Sequence, residues 1–291
     1  MAIVLLSLAL AGAIAASIWV FLQLQQANTT IHDRESEIEQ QQKELDEQRD
    51  LIDRKDAFGA AMEGLLAETA AYEGVPLPSL VPWDSYDSFA WQAWSQRWDA
   101  DGLDETTASV IAARDHLAAQ REAAQARVAS GATGGVYDRV IDELGYGYVT
   151  WQLDDADALC QNDVLACVRG DDPLVVHIDA TDDTLPYMTD WIRTGIAYHE
   201  FAHVLQYADP VAAEEAAVVF GGDWETMADC FALTYLDGWT LDHRVWVSDY
   251  EYWDVNVGYG YACDDSQKQT IRDWRDSLAI HQRRLGPGVD G

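Results

Sequence analysis

Basic residues are scarce in this chain. It has 18 lysines and arginines against 51 aspartates and glutamates, which gives a formal net charge of −33 at pH 7. Binding to nucleic acid needs clustered cations that neutralise phosphates. The composition therefore argues against nucleic acid as a partner and predicts a strongly anionic surface.

Cysteine is rare as well. The four cysteines form no Cys-x-x-Cys motif, so a structural zinc ribbon is not expected. They fall into two plausible pairs, Cys160 with Cys167 and Cys230 with Cys263. An even number is typical of an oxidising compartment, with buried free thiols as the alternative. On this basis we expect the globular part of the chain to lie outside the cytoplasm.

Charge is absent from the N-terminal segment. Residues 1–24 are mostly apolar and long enough for a helix to cross a bilayer core, which predicts a transmembrane anchor. A cleaved signal peptide is the alternative, because small residues occur at Ala11, Ala13 and Ala15. Sparse basic residues after the span weakly favour a cytoplasmic C-terminus, but the cysteines carry more weight. The predicted location is membrane-anchored and extracytoplasmic, or secreted if the segment is cleaved.

A helical stalk is predicted over residues 25–73, whose first part is rich in Gln and Glu. Four apolar residues recur in it every seven positions: Ile31, Ile38, Leu45 and Ile52. These residues occupy one of the two core positions of a heptad, and the residues at the second core position are polar. A stable two-stranded coiled coil needs apolar residues at both core positions. The pattern favours a solvated spacer, with weak self-association as the alternative.

Residues 74–135 are predicted to form a helical region rich in Trp and Ala. Three tryptophans fall at helical spacing: Trp91, Trp94 and Trp98. This spacing favours the buried face of an amphipathic helix, and an exposed surface that stacks on sugars is the alternative. An Ala-rich run over residues 104–130 has high helix propensity. The glycine-rich segment 131–135 then ends the region and leaves residues 136–291 as the last domain.

Two short runs in the last domain predict strands, Gly147–Trp151 and Leu174–Ile178. The second is a candidate edge strand for pairing with an extended peptide. A helical pattern starts near Pro186 and continues to about Tyr207. Together with the helical N-terminal half, these elements predict an α+β fold that is mainly α-helical and contains a small sheet.

The helical pattern before Tyr207 carries residues typical of a metal site. His199 and His203 lie four residues apart, so an α-helix places both imidazoles on one face, where they can share one ion. Glu200 follows the first histidine and can reach a metal-bound water without binding the ion itself. This is the HExxH arrangement of zinc peptidases, in which the glutamate acts as general base.

A catalytic zinc site also needs a third protein ligand and an open position for water. Asp223 is a suitable N-cap for a second helix, on which Glu225 and Asp229 again lie four residues apart. Glu225 is the predicted third ligand. Asp229 is predicted to accept a hydrogen bond from the non-ligating nitrogen of a zinc histidine, with His199 as the first candidate.

Three segments resemble a known family: His199–Gln206 (HEFAHVLQ), Glu225–Ala232 (ETMADCFA) and Ala262–Asp264 (ACD). Their pattern resembles that of the gluzincins and, more closely, that of bacterial neutral zinc metallopeptidases. The resemblance covers Leu174–Asp264 and departs at Ala202, where the family usually has glycine. It implies a zincin-like catalytic domain, the ligand set given above, and a disulfide between Cys230 and Cys263.

The expected function is a zinc-dependent peptidase that acts on a peptide or protein substrate, with Glu200 as general base. A further donor should stabilise the oxyanion, and His243 and Tyr207 are candidates, although an isolated His or Tyr is more often structural. The alternative is a catalytically inactive zinc-binding protein, anchored in the membrane and serving as an envelope scaffold or interaction protein.

Overall fold

The structure is a computed structural model that describes residues 2–130, 134–160, 164–259 and 263–286. Within them the chain is mainly helical with two small sheets, which confirms the predicted α+β class. The helices are α1 (Ala2–Thr69), α2 (Trp83–Ser95), α3 (Ala100–Ser130), α4 (Val136–Gly145), α5 (Ala156–Leu159), α6 (Asp190–Ala208), α7 (Pro210–Ala217), α8 (Trp224–Tyr235) and α9 (Asp265–Ser277). The strands are β1 (Thr150–Asp154), β2 (Ala166–Arg169), β3 (Asp172–Asp179), β4 (Asp242–Trp246) and β5 (Tyr252–Asn256).

Helix α1 is a single helix of 68 residues. Every side chain from residue 12 to residue 50 is exposed, including those of the heptad pattern. The C-terminal part of α1 packs instead against α3, where Leu65 is fully buried and Glu68 pairs with Arg121 at 2.6 Å. The predicted stalk is thus helical, and its self-association stays a prediction.

Some predictions about chain organisation fall partly or wholly beyond what the structure describes. No helix is long and apolar enough to cross a membrane among the described residues, so the anchor predicted over residues 1–24 is not confirmed. The predicted glycine break includes residues 131–133, which lie outside the described residues. Ala262 of the third family segment lies outside them too.

The prediction that Trp91, Trp94 and Trp98 form a buried helical face is wrong. Their side chains are 49%, 54% and 73% exposed. Helix α2 instead turns Trp83 and Tyr86 towards the core, and the helix ends at Ser95, before the third tryptophan of the series. Two of the exposed rings lie next to cations: the Arg97 guanidinium is 4.6 Å from the ring centre of Trp94, and the Lys55 ammonium is 4.2 Å from that of Trp98.

The helical N-terminal region and the last domain share one hydrophobic core. The hydroxyl of the buried Tyr72 donates to the carbonyl of Leu117 on α3 at 2.6 Å. The Arg127 guanidinium, also on α3, donates to the carbonyls of Gly147 and Val149 at 2.8 and 2.9 Å. These contacts hold α3 against the segment that leads into β1.

The larger sheet has the strand order β1-β3-β2, in which β3 pairs parallel to β1 and antiparallel to β2. The predicted run Leu174–Ile178 lies within β3, so its assignment as an edge strand is wrong: it has a neighbour on each side. The edge next to it is β2, which the sequence analysis missed. The strand predicted at Gly147–Trp151 begins three residues later, because Gly147 has a positive φ of 78° and forms part of a turn.

Helix α6 lies at the centre of the last domain and contacts β2, β3, α4 and α8. Its inner side is fully buried at Ile192, Phe201 and Leu205. Helix α8 packs beside it and is covered by α9, whereas β4 and β5 form a separate hairpin. Neither the hairpin nor α9 was predicted.

Both predicted disulfides are present. Cys160 is bonded to Cys167, and Cys230 is bonded to Cys263. The first joins Cys160, just after α5, to Cys167 within β2. The second joins the middle of α8 to the residue that precedes the N-cap of α9.

Candidate metal centre

Helix α6 begins at the N-cap Thr189, whose hydroxyl accepts the amide of Ile192 at 3.4 Å. Three turns later it carries His199, Glu200 and His203. Glu200 is 5% exposed and His203 is 9% exposed, so both lie well below the surface. A buried helix gives these side chains fixed positions.

Helix α8 supplies the acidic residues. Gly221 and Gly222 both have positive φ, which a residue with a side chain rarely adopts, and they turn the chain back after α7. Asp223 then caps α8 as predicted, accepting the amides of Glu225 and Thr226 at 3.0 and 3.3 Å. The helix consequently starts beside the histidines of α6.

Three ligand atoms converge on one point. The Nε2 atoms of His199 and His203 lie 3.1 Å apart, and each lies 3.1 Å from the same carboxylate oxygen of Glu225. Ligands at 2.0–2.1 Å from a tetrahedral zinc would lie about 3.3 Å from one another. These three residues could hold a metal ion.

The outer hydrogen bonds of the imidazoles fix where their protons lie. Nδ1 of His199 is 2.9 Å from the Asp229 carboxylate, as predicted, and Nδ1 of His203 is 2.6 Å from the amide oxygen of Gln206. Both partners accept, so each Nδ1 donates. In a neutral imidazole Nε2 then carries a lone pair, so three electron-rich atoms face one another, an arrangement that favours a cation between them.

The pKa shifts of His199 and Glu225 also favour positive charge among these three atoms. Burial lowers the pKa of His199, but hydrogen bonds to Asp229 and Glu225 outweigh it and raise the pKa to about 10. Burial likewise opposes ionisation of Glu225, yet the hydrogen bonds from the two histidines hold its pKa well below the usual range. Both shifts favour a positive charge beside the Glu225 carboxylate.

Glu200 lies beside the triad without being part of it. Its Oε2 is buried and has no hydrogen-bond partner among the described residues. Burial raises the pKa of this carboxyl, and the neighbouring histidines oppose the shift. An unpartnered buried carboxylate oxygen is costly unless a ligand or water completes it, so this position suits proton transfer with a bound molecule.

The triad opens into a cleft of about 780 Å³. Its lining includes residues 164–171, which contain β2, and residues 255–259. Tyr207, one predicted oxyanion donor, also lines the cleft. The other, His243, is not among the described lining residues; its ring stacks on Trp191, with the centres 5.5 Å apart.

Sequence analysis missed the roles of two residues here. Gln206 orients His203, and its position three residues further along the helix could have indicated this. Tyr259 stacks on His199 with ring centres 6.2 Å apart and an interplanar angle of 23°. Burial and then the charges of Glu225 and Glu200 raise the pKa of Tyr259 to about 12. The only sequence signal for it is its position four residues before Cys263.

Comparison with known proteins gives no match: no family model, no curated protein and no solved structure is similar to this chain.

Proposed function

We propose that this protein is a zinc-dependent peptidase. The observation that carries the proposal is the convergence of His199, His203 and Glu225 on one point, beside the buried and unpartnered carboxylate oxygen of Glu200. The resemblance of the motif segments to bacterial neutral zinc metallopeptidases supports the same activity.

Zinc is the ion that this donor set favours. Two imidazole nitrogens and one carboxylate oxygen are the ligands of many catalytic zinc sites, which keep a fourth position open. Softer or harder ions prefer thiolates or a larger set of oxygens. When bound, zinc would acidify its water and polarise the carbonyl of the scissile bond.

Glu200 would carry the proton through the reaction. Its free oxygen would take one proton from water as the water oxygen adds to the carbonyl carbon of the peptide bond. The carboxylic acid would then pass this proton to the departing nitrogen as the C–N bond breaks. The products are a carboxylic acid and an amine, and Glu200 returns to its ionised form.

A peptide substrate is supported by strand β2. Among the described residues this strand pairs with β3 alone, so its other edge has no neighbouring strand there. The segment 164–171 that contains β2 lines the cleft beside the triad. An extended peptide could pair with such an edge through its main chain. We propose that substrates bind along β2, in the role that the sequence analysis had given to β3.

An extracytoplasmic location is part of the proposal. Its support is the presence of two disulfides, which persist mainly in oxidising compartments. Reduction of either bridge in protein isolated from its native compartment would count against this location.

The decisive test is Glu200→Gln. Wild-type protein purified without chelator should contain about one zinc ion per chain and cleave members of a mixed library of fluorescence-quenched peptides. The variant should keep its zinc, measured by mass spectrometry of the metal, and lose at least about 10²-fold in cleavage rate. Glu214→Gln, at an exposed position on α7, is the matched control and should behave as wild type.

The outcomes separate the two predicted functions. Absence of zinc from the wild type would overturn the metal assignment. A zinc-loaded wild type that cleaves no peptide would favour the inactive scaffold. A Glu200→Gln variant as fast as wild type would show that another group handles the proton.

A further inference from the structure

Tyr259 borders the candidate metal centre and lines the same cleft as β2. Its ring stacks on His199, with the ring centres 6.2 Å apart. The side chain is 63% exposed and lines the cleft. The phenol therefore lies against a predicted metal ligand, in the same cleft that Glu200 lines.

Three features hold Tyr259 in place. Its backbone amide donates to Oδ2 of Asp229 at 2.7 Å. Gly258 lets the backbone approach this carboxylate, because a Cβ there would lie 2.8 Å from Oδ2. The disulfide joins Cys263, four residues after Tyr259, to Cys230, the residue next to Asp229.

Asp229 thus has two tasks at once. One carboxylate oxygen orients the ring of His199, and the other fixes the backbone of Tyr259. Asp229 is 1% exposed and has little freedom to move. Asp229 therefore fixes the backbone that carries the phenol and the ring of a predicted metal ligand at the same time. Such a shared anchor is expected for a residue of the reaction site.

We propose that Tyr259 is a catalytic residue whose hydroxyl donates a hydrogen bond to the carbonyl oxygen of the scissile bond as that oxygen gains negative charge. This inference rests on the proposed peptidase function. A fixed donor aimed at developing charge lowers the barrier, because it needs no reorganisation during the reaction. Tyr259 takes the role for which the sequence analysis named His243 and Tyr207.

The test is Tyr259→Phe, which keeps the ring on His199 and the backbone bond to Asp229 and removes only the hydroxyl. With the best peptide of the quenched library, kcat should fall by about 10²-fold while KM stays within about twofold. The zinc content should not change. A phosphinic tripeptide, whose tetrahedral group resembles the hydrated peptide bond, should bind the variant at least about tenfold more weakly.

Tyr250→Phe is the matched control, since Tyr250 is 95% exposed and is not among the described residues that line the cleft. Its kinetics and phosphinate affinity should equal those of the wild type. Three results with Tyr259→Phe would overturn the proposal: an unchanged kcat, a raised KM alone, or loss of zinc. If the wild type cleaves no peptide, the proposed function fails, and equal phosphinate affinities of wild type and variant would separately overturn the role of Tyr259.

Discussion

Gln206 and His203 lie one turn apart on α6, with the amide oxygen of the first 2.6 Å from Nδ1 of the second. The amide nitrogen of Gln206 donates to the carbonyl of Trp224 at 3.0 Å, which fixes the orientation of the amide because a carbonyl can only accept. Trp224 is the first residue of α8 and precedes Glu225. One buried side chain therefore orients a histidine and docks the helix that brings the carboxylate.

Replacement of Gln206 by leucine should weaken metal binding. The variant keeps the volume of the side chain but leaves Nδ1 of His203 without its acceptor and α8 without this link to α6. Loss of such a partner typically reduces metal affinity by about 10–100-fold. Competition with a chromophoric zinc chelator measures the change. Gln269→Leu, at an exposed position on α9, should leave the affinity unaltered, and equal affinities in both variants would contradict the role given to Gln206.

The parts of the site that sequence analysis predicted depend on local spacing. The i, i+4 pairs on α6 and α8 follow from helix geometry, and the N-cap Asp223 marks where α8 begins. These rules place His199 beside His203 and Glu225 beside Asp229. They do not bring the two helices together; that step came from the need of a catalytic zinc for a third protein ligand, and the motif resemblance then implied the same ligand set.

The parts that were missed depend on contacts distant in sequence. Strand order is one: nothing in Leu174–Ile178 shows that β2 covers its other side, because pairing is decided between segments. The exposed Trp91 and Trp94 are another, since helical spacing does not tell which face of α2 meets the core. Tyr259 reaches the site only through the turn at Gly258 and the bond to Asp229, thirty residues away.

Replacement of Gly195 by alanine should destabilise the protein. Alanine is the better helix former by about 1 kcal/mol. At this position on α6, however, a Cβ would overlap the indole of Trp239, which is itself buried. Overpacking of this kind typically costs about 1–3 kcal/mol. After the gain in helix propensity is subtracted, we expect a net loss of up to about 2 kcal/mol in the free energy of unfolding, measured with urea.

Gly59 on α1 provides the matched comparison, because nothing lies within 4 Å of a Cβ there. Gly59→Ala should be neutral or stabilise the protein by up to about 1 kcal/mol. If both alanine variants were stabilising, the close packing of Trp239 on α6 would be wrong.

The two disulfides should contribute unequally to stability. Cys160–Cys167 spans 7 residues and Cys230–Cys263 spans 33. On the loop-entropy model a bridge across the longer loop stabilises the fold by about 4 kcal/mol and one across the shorter loop by about 2 kcal/mol. Paired Cys→Ser variants, each lacking one bridge, compare the two by urea denaturation. An equal loss in the free energy of unfolding of the two variants would show that loop length does not determine how much each disulfide stabilises the fold.

Removal of the Asp179 carboxylate should destabilise the protein in a pH-dependent way. Asp179 ends β3 and is 6% exposed, and its carboxylate accepts the amides of Thr181 and Asp182 at 2.8 and 3.0 Å. The bond from Asp182 is the main cause that lowers its pKa, against the opposing effect of burial. Because the pKa of Asp179 is lower in the folded state than in the unfolded state, its ionised carboxylate stabilises the fold fully at pH values above the unfolded-state pKa of about 3.9. This contribution to the free energy of unfolding is lost as pH falls through the lower, folded-state pKa.

Asp179→Asn should therefore be less stable than wild type by about 1–2 kcal/mol at pH 7, because the charge-assisted hydrogen bonds are weakened. The difference should shrink when urea denaturation is repeated at successively lower pH, beginning near the unfolded-state pKa of about 3.9. Asp237→Asn, at an exposed position, should stay within about 0.5 kcal/mol of wild type throughout. A difference between Asp179→Asn and wild type that is constant from pH 7 to strongly acidic pH would mean that the contribution of Asp179 comes from its shape and not from its charge.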